Sequence, residues 1–200
     1  MPRDSGRNDA RSRIAHLAAR LMAEDGIEDY ALAKRKAARQ AGAPESRDLP
    51  GNDEIDAALR LYRDIHQPDT HREDLRQLRL TALRAMREMI HFNPHLTGSV
   101  LSGNAGKYAD VNLQLFTDND KAVELFLMER GVSYRATQTR LYAGDEPRTV
   151  PVFTIVDRGV EVELAVLSSQ DLRRPLKTSI AGKPMDRAKI AAVERLVAET

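Results

Sequence analysis

The chain contains no cysteine, which excludes a disulfide framework, a Cys-ligated zinc or iron–sulfur centre and thiol catalysis. Tryptophan is also absent and aromatic residues make up only 4% of the sequence, so a core has to be built from Leu, Ile, Val, Ala and Met, a composition that favours helices. No stretch approaches the roughly 20 apolar residues of a membrane span. The opening MPRDSGRNDARSR lacks the apolar stretch of a secretion signal. A cytoplasmic protein with no membrane partner is the expectation. Nor does one sign of charge dominate: 31 basic residues stand against 30 acidic, and bulk electrostatics announces no nucleic-acid partner. Acid–base, hydroxyl and oxygen-ligated metal chemistry remain open.

With 200 residues, 42% of them apolar, there is material for one sizeable core, or for a helical half and a small mixed domain. The first ninety residues carry helical periodicity. Ile14, Leu17, Ala18, Leu21 and Met22 form one stripe stopped by Asp25-Gly26, and a second helix is predicted from about Ile27 to Ala41, ending at Gly42. APESRDLPGND reads as a linker into a third helix near Asp53. A fourth, from about His71 to Ile90, aligns Leu75, Leu78, Ala82, Met86 and Met89, with Arg72, Arg76, Arg79 and Arg87 mostly on other sides.

Beyond Pro94 the period shortens. VNLQLF (Val111 to Phe116) reads as a strand and Asp118 to Arg130 as a helix. Val132 to Tyr142, Val150 to Val156 and Val160 to Leu167 read as three further strands, the last two joined by a tight hairpin at Asp157-Arg158-Gly159, and a helix closes the chain from about Asp186. The expected fold class is α+β: a helical N-terminal region over 9–90, then a mixed sheet flanked by helices over 93–200.

Chemistry concentrates in GSVLSGNAGKYADVNLQLF, Gly98 to Phe116. A Gly-Ser at the opening of a helical turn offers backbone N–H groups and a hydroxyl to phosphate oxygens, and glycine lets a ligand approach the main chain. Positions 110 and 112, two apart on a strand, face one space, where acids can share a magnesium ion. An isolated Gly98-Ser99 would be an ordinary helix start; the distance to Asp110 argues otherwise. In VEVELAVLSS, Glu161 and Glu163 share a strand face, which without a partner acid would be a merely solvated one.

Together these residues resemble the signature of the nucleotidyltransferase superfamily, the DNA polymerase β type of fold. There Gly-Ser is followed, after a loop with a further glycine, by Asp-x-Asp at a strand start. Gly98, Ser99, Gly103 and Asp110 fall at the family spacing, and Glu163, ahead of the apolar LAVL run, resembles the third carboxylate more closely than Glu161 does. The resemblance implies catalytic and metal-binding roles for Asp110, Glu163 and position 112, and nucleotide contacts from Gly98, Ser99 and Ser102. The implied cofactor is Mg²⁺ or Mn²⁺. The implied reaction is in-line attack on the α-phosphate of a nucleoside triphosphate, with RNA, a protein or a small molecule as acceptor. Three departures stand out. Asn112 replaces the second Asp, which weakens metal binding because an amide brings no charge; Ser102 replaces a common arginine; Ala109 replaces a serine.

From Asp171 to Thr200 seven Lys/Arg face four acids, and the loop RRPLKTSIAGKPMDRAK places Lys177 and Lys183 where they can close over a triphosphate. Two alternatives accompany the enzyme. One is a catalytically degenerate scaffold that binds RNA or protein. The other is a DNA-binding regulator: Ala18 to Gly42 is similar to the opening of TetR-type domains and carries Lys34, Arg35, Lys36 and Arg39, although its second helix is about two residues too long and no recognition helix follows Gly42. His91 and His95 are expected to cap a helix end and its turn rather than bind metal.

Overall fold

In a computed structural model, described for residues 3–27, 29–43, 49–66, 68–179 and 182–200, the chain is α+β and divides into two compact units, Met1–Arg72 and Glu73–Thr200. Among the described residues no helix is long and apolar enough to cross a membrane.

The first unit contains α1 (Arg3–Glu24), α2 (Tyr30–Gln40) and α3 (Asn52–His66). The Ile14 to Met22 stripe packs with Ile55 and Leu59 and with Ala33, Ala37, Ala38 and Ala58, four small residues that let the helices come close. Helix α1 ends before Gly26, whose φ of 66° suits a glycine, and Asp29 opens α2 by accepting bonds from the Ala31 and Leu32 amides. Arg11 and Glu54 join α1 to α3 through a 2.6 Å ion pair, which with the Gly51 amide holds the Glu54 carboxyl down at about 2. Part of the expected linker, residues 44–48, lies outside the described residues.

The second unit takes most of α4 (Pro68–Glu88). Its stripe of Leu75, Leu78, Ala82, Met86 and Met89 belongs to the core under the sheet, so this helix goes with the sheet rather than with the N-terminal region to which the sequence reading gave it. Arg79, expected on its polar side, is buried and binds the Val100 and Leu196 carbonyls and the Thr200 hydroxyl.

Then follow β1 (His95–Thr97), α5 (Ser99–Ser102), β2 (Val111–Phe116), α6 (Asp120–Glu129), β3 (Tyr134–Ala143), β4 (Glu146–Asp157), β5 (Val160–Leu167) and α7 (Ile190–Glu199). The sheet runs β1-β2-β5-β4-β3, with β2 and β5 parallel and the other pairs antiparallel. Arg158 and Gly159, both at positive φ, close the β4–β5 hairpin in the two-residue form expected there.

Alternation then sorts the sheet residues onto two faces. Val111, Leu113, Leu115, Val162, Leu164 and Val166 join the α4 residues in the main core. On the opposite face, Phe116, Leu141, Val150 and Leu167 form a smaller cluster with Leu176, Val152 and Ala165 lie on the same side, and Asn112, Gln114, Thr154, Glu161 and Glu163 give it its polar part. The chain after β5 crosses this face from the β3 edge, where Lys177 bridges Tyr142, to the β1 edge, where Ala188 bridges Leu96.

Candidate functional site

Strand β1 was not foreseen, yet it completes the site. Register places Thr97, Asn112, Glu163, Thr154 and Arg135 in a single row across all five strands, with side chains on the polar face. Asn112 and Glu163 are direct neighbours on parallel strands, about 4.8 Å apart at the backbone. Asp110 precedes Asn112 by two residues and so lies toward the same face. Glu161 holds the corresponding position on β5.

Gly98 follows β1 immediately, with φ 77° and ψ −157°, a combination that L side chains avoid. A methyl group there would meet the Asn112 side chain at 3.5 Å, so the backbone of the Gly98 turn lies directly against the row. The structure thus brings together Gly98, Asp110, Asn112 and Glu163. Ser99 opens the single turn of α5, and Ser102 ends it, exposed, with its hydroxyl on the Ser99 carbonyl at 3.3 Å.

The two carboxylates differ from their neighbour Glu161. Glu161 pairs with Arg135 at 3.2 Å, whereas among the described residues the side chains of Asp110 and Glu163 have neither a hydrogen bond nor an ion pair. Burial raises the Glu163 carboxyl above its ordinary range, and the charges of Asp110 and then Glu161 push it further, partly offset by Arg135. Asp110 is raised in the same way, by burial first and Glu161 second. Asn112 brings no relief: its Nδ2 donates to the main-chain oxygen of Asp110 at 3.4 Å. Among the described residues no three acids or histidines form a ready-made metal cage. Oxygen donors are what the site offers, two of them charged.

No family model matches this chain, and no curated protein does. The site has therefore to be read from its own chemistry.

Other sequence expectations fare differently. Lys177 sits beside Tyr142, seven residues along β3 from Arg135, about 23 Å at strand spacing. Its Nζ reaches Asp145 at 3.7 Å, so the structure does not bring it to the acids. Lys183 is exposed on the crossing segment, two residues before Met185, whose sulfur accepts a long bond from Gln114. His95 is no helix cap: it lies in β1, 5% exposed, edge-on to Phe116, with Nδ1 against the Asn93 carbonyl, and burial lowers its pKa. In the first unit Lys34 binds the Asn52 side chain at 2.7 Å, and Arg35, Lys36 and Arg39 stay exposed.

Sequence reasoning overlooked Thr97, Arg135 and Arg187 as members of this face. Thr97 had a local signal, its place directly before Gly98. The other two arrive through long-range pairing.

Proposed function

We propose that the second unit binds a nucleoside triphosphate with Mg²⁺ or Mn²⁺ and transfers its nucleotidyl group to an acceptor hydroxyl of RNA, a protein or a small molecule. The observation that carries this reading is the pair of half-buried, unpartnered carboxylates, Asp110 and Glu163, facing one row beside the Gly98 turn. Such a pair opposes folding until something positive lies between its members. Magnesium ordinarily keeps several waters and takes one or two carboxylates together with substrate phosphates, so Asp110 and Glu163 suit it, and the Asn112 amide oxygen adds at most a neutral ligand.

Bound there, the ion supplies neutralisation of the phosphate oxygens and of the departing pyrophosphate. The chain does the rest. Gly98 allows phosphate to approach the main chain, Ser99 offers a hydroxyl, Asp110 and Glu163 would hold the ion, and the acceptor's proton passes to solvent water. The acceptor oxygen bonds to the α-phosphorus as the bond to the β-phosphate oxygen breaks, and pyrophosphate leaves with that electron pair.

Calorimetry of the full chain with each nucleoside triphosphate and Mg²⁺ tests the site. Asp110→Ala should abolish Mg²⁺-dependent binding, and an unchanged isotherm in that variant would discard the assignment. A second reading, a scaffold that binds without transferring, is favoured by Asn112, whose amide occupies the place of an acid and turns back to Asp110. Incubation with labelled triphosphates and total cellular RNA and protein separates the two: label transfer that depends on Asp110 supports the enzyme, and binding without transfer supports the scaffold.

A further inference from the structure

Arg187 lies in the segment that crosses the polar face, and the antiparallel bridge between Leu96 and Ala188 sets it beside Thr97, at the end of the row that holds Asn112 and Glu163. Its Nη1 donates to the Asp171 carbonyl at 2.9 Å, and its guanidinium lies 5.0 Å from the centre of the Phe116 ring. Its Nε and Nη2 are shut off from solvent and, among the described residues, donate to nothing. Those two nitrogens form one edge of the guanidinium, the edge whose parallel N–H bonds grip two oxygens of a phosphate or carboxylate.

Two neighbours share the deficit. Among the described residues Thr97, 6% exposed, has no partner for its hydroxyl, and Gln114, 2% exposed, has none for Oε1, while its Nε2 makes a 3.8 Å bond to the Met185 sulfur. A half-turn of that amide exchanges its ends and presents a donor in place of Oε1. Buried polar groups in folded proteins almost always find partners, and a buried charged donor edge without one is the costliest omission. Phe116, the Asp171 carbonyl and the bridge hold Arg187 in place, so the vacancy belongs to the architecture.

We propose that Arg187, with Thr97, is an oxyanion-holding site that grips the far end of a polyphosphate chain whose near end lies by Asn112 and Glu163. Two strand spacings, roughly 10 Å, separate Thr97 from Glu163, too far for a lone phosphate to touch both and suited to a triphosphate. The identity of the chain as that of a nucleotide rests on the function proposed above; the oxyanion site itself does not.

The test uses inorganic tripolyphosphate without metal, and nucleoside triphosphates with Mg²⁺, on the full chain. Arg187→Met keeps a side chain over Phe116 without donors, and Arg187→Lys keeps the charge without the paired edge. Both should weaken tripolyphosphate binding by about tenfold or more. Without ligand, Arg187→Met should melt no lower than the parent, because it removes two unsatisfied charged donors. Parent-like affinity in Arg187→Met or in Arg187→Lys overturns the proposal even where nucleotide binding persists. Arg187-dependent tripolyphosphate binding in a protein that takes up no nucleoside triphosphate upholds the oxyanion site and removes the nucleotide reading.

Discussion

The two faces of β2 and β5 are made from alternate residues of the same segments, and they obey opposite rules. On one side Val111, Leu113, Leu115, Val162, Leu164 and Val166 are each 5% exposed or less. On the other, Asn112, Glu161 and Glu163 are partly buried, two carboxylates repel each other, and Gln114, Thr97 and Arg187 hold atoms with no partner among the described residues. A fold selected for stability alone would repeat the first pattern on both sides or open the second to water. Half-burying unpaired acids does neither. It is how ligand sites are ordinarily distinguished from structural surface, since local rules are broken where function compensates.

The largest effect should come from the apolar side. Leu164→Ala, at a residue 0% exposed in the middle of β5, empties a site walled by strands on both flanks and should destabilise by about 2–5 kcal/mol, read as a lower urea midpoint with unchanged slope. A loss below about 1 kcal/mol would mean that this face is not the tightly packed one and would dissolve the contrast.

Much of this contrast was legible beforehand, because alternation is local. Strand β2 covers Val111 to Phe116 as read, and the turn at Asp157-Arg158-Gly159 shows in three residues. The Gly98 to Asp110 spacing is equally local. What the sequence could not show depends on distant partners. Three-residue β1 is too short to alternate and exists by pairing with β2 and Ala188. The amphipathic stripe of α4 announces a core without saying which one. Strand β4 begins at Glu146 rather than Val150 because Pro147 and Pro151 fall where it has β3 alone as a neighbour, a place where a missing N–H is tolerated. The parallel register that sets Asn112 against Glu163 is a fact of the assembled sheet, as is the presence of Arg187 beside Thr97.

A middle-sized effect is expected at the turn that borders the polar face. Gly98→Ala forces an L residue into a backbone region that is essentially reserved for glycine, at about 1–3 kcal/mol, seen as a lower melting temperature. The added methyl meets Asn112 at 3.5 Å, an ordinary contact, so the penalty is conformational. Enlarging Asn112 or trimming it should leave that penalty unchanged. Relief of the loss by Asn112→Ala would show the difficulty to be crowding instead, and the turn would then be less constrained than its dihedral angles state.

The smallest effect carries the opposite sign, one residue away from the largest. Glu163→Gln removes a charge that burial and Asp110 disfavour, so at pH 7 without metal it should leave stability unchanged or raise it, by up to roughly 1 kcal/mol. The pH dependence follows from the direction of the shift. A carboxyl whose native pKa is raised binds more protons folded than unfolded, so stability is highest below the ordinary carboxylate range, falls as pH rises through that range to the raised native value, and stays lowered above it. Glu54, held down at about 2, acts in reverse, stabilising above the ordinary range and losing that contribution as pH falls toward its own value. The two cannot be separated in a single profile. Subtracting the melting curve of Glu163→Gln from that of the parent across pH 3 to about 7 isolates the first: the variant's advantage should grow with pH and then level off. An advantage that shrinks with pH would mean that Glu163 is a satisfied, stabilising charge, and the polar face would then be an ordinary surface like any other.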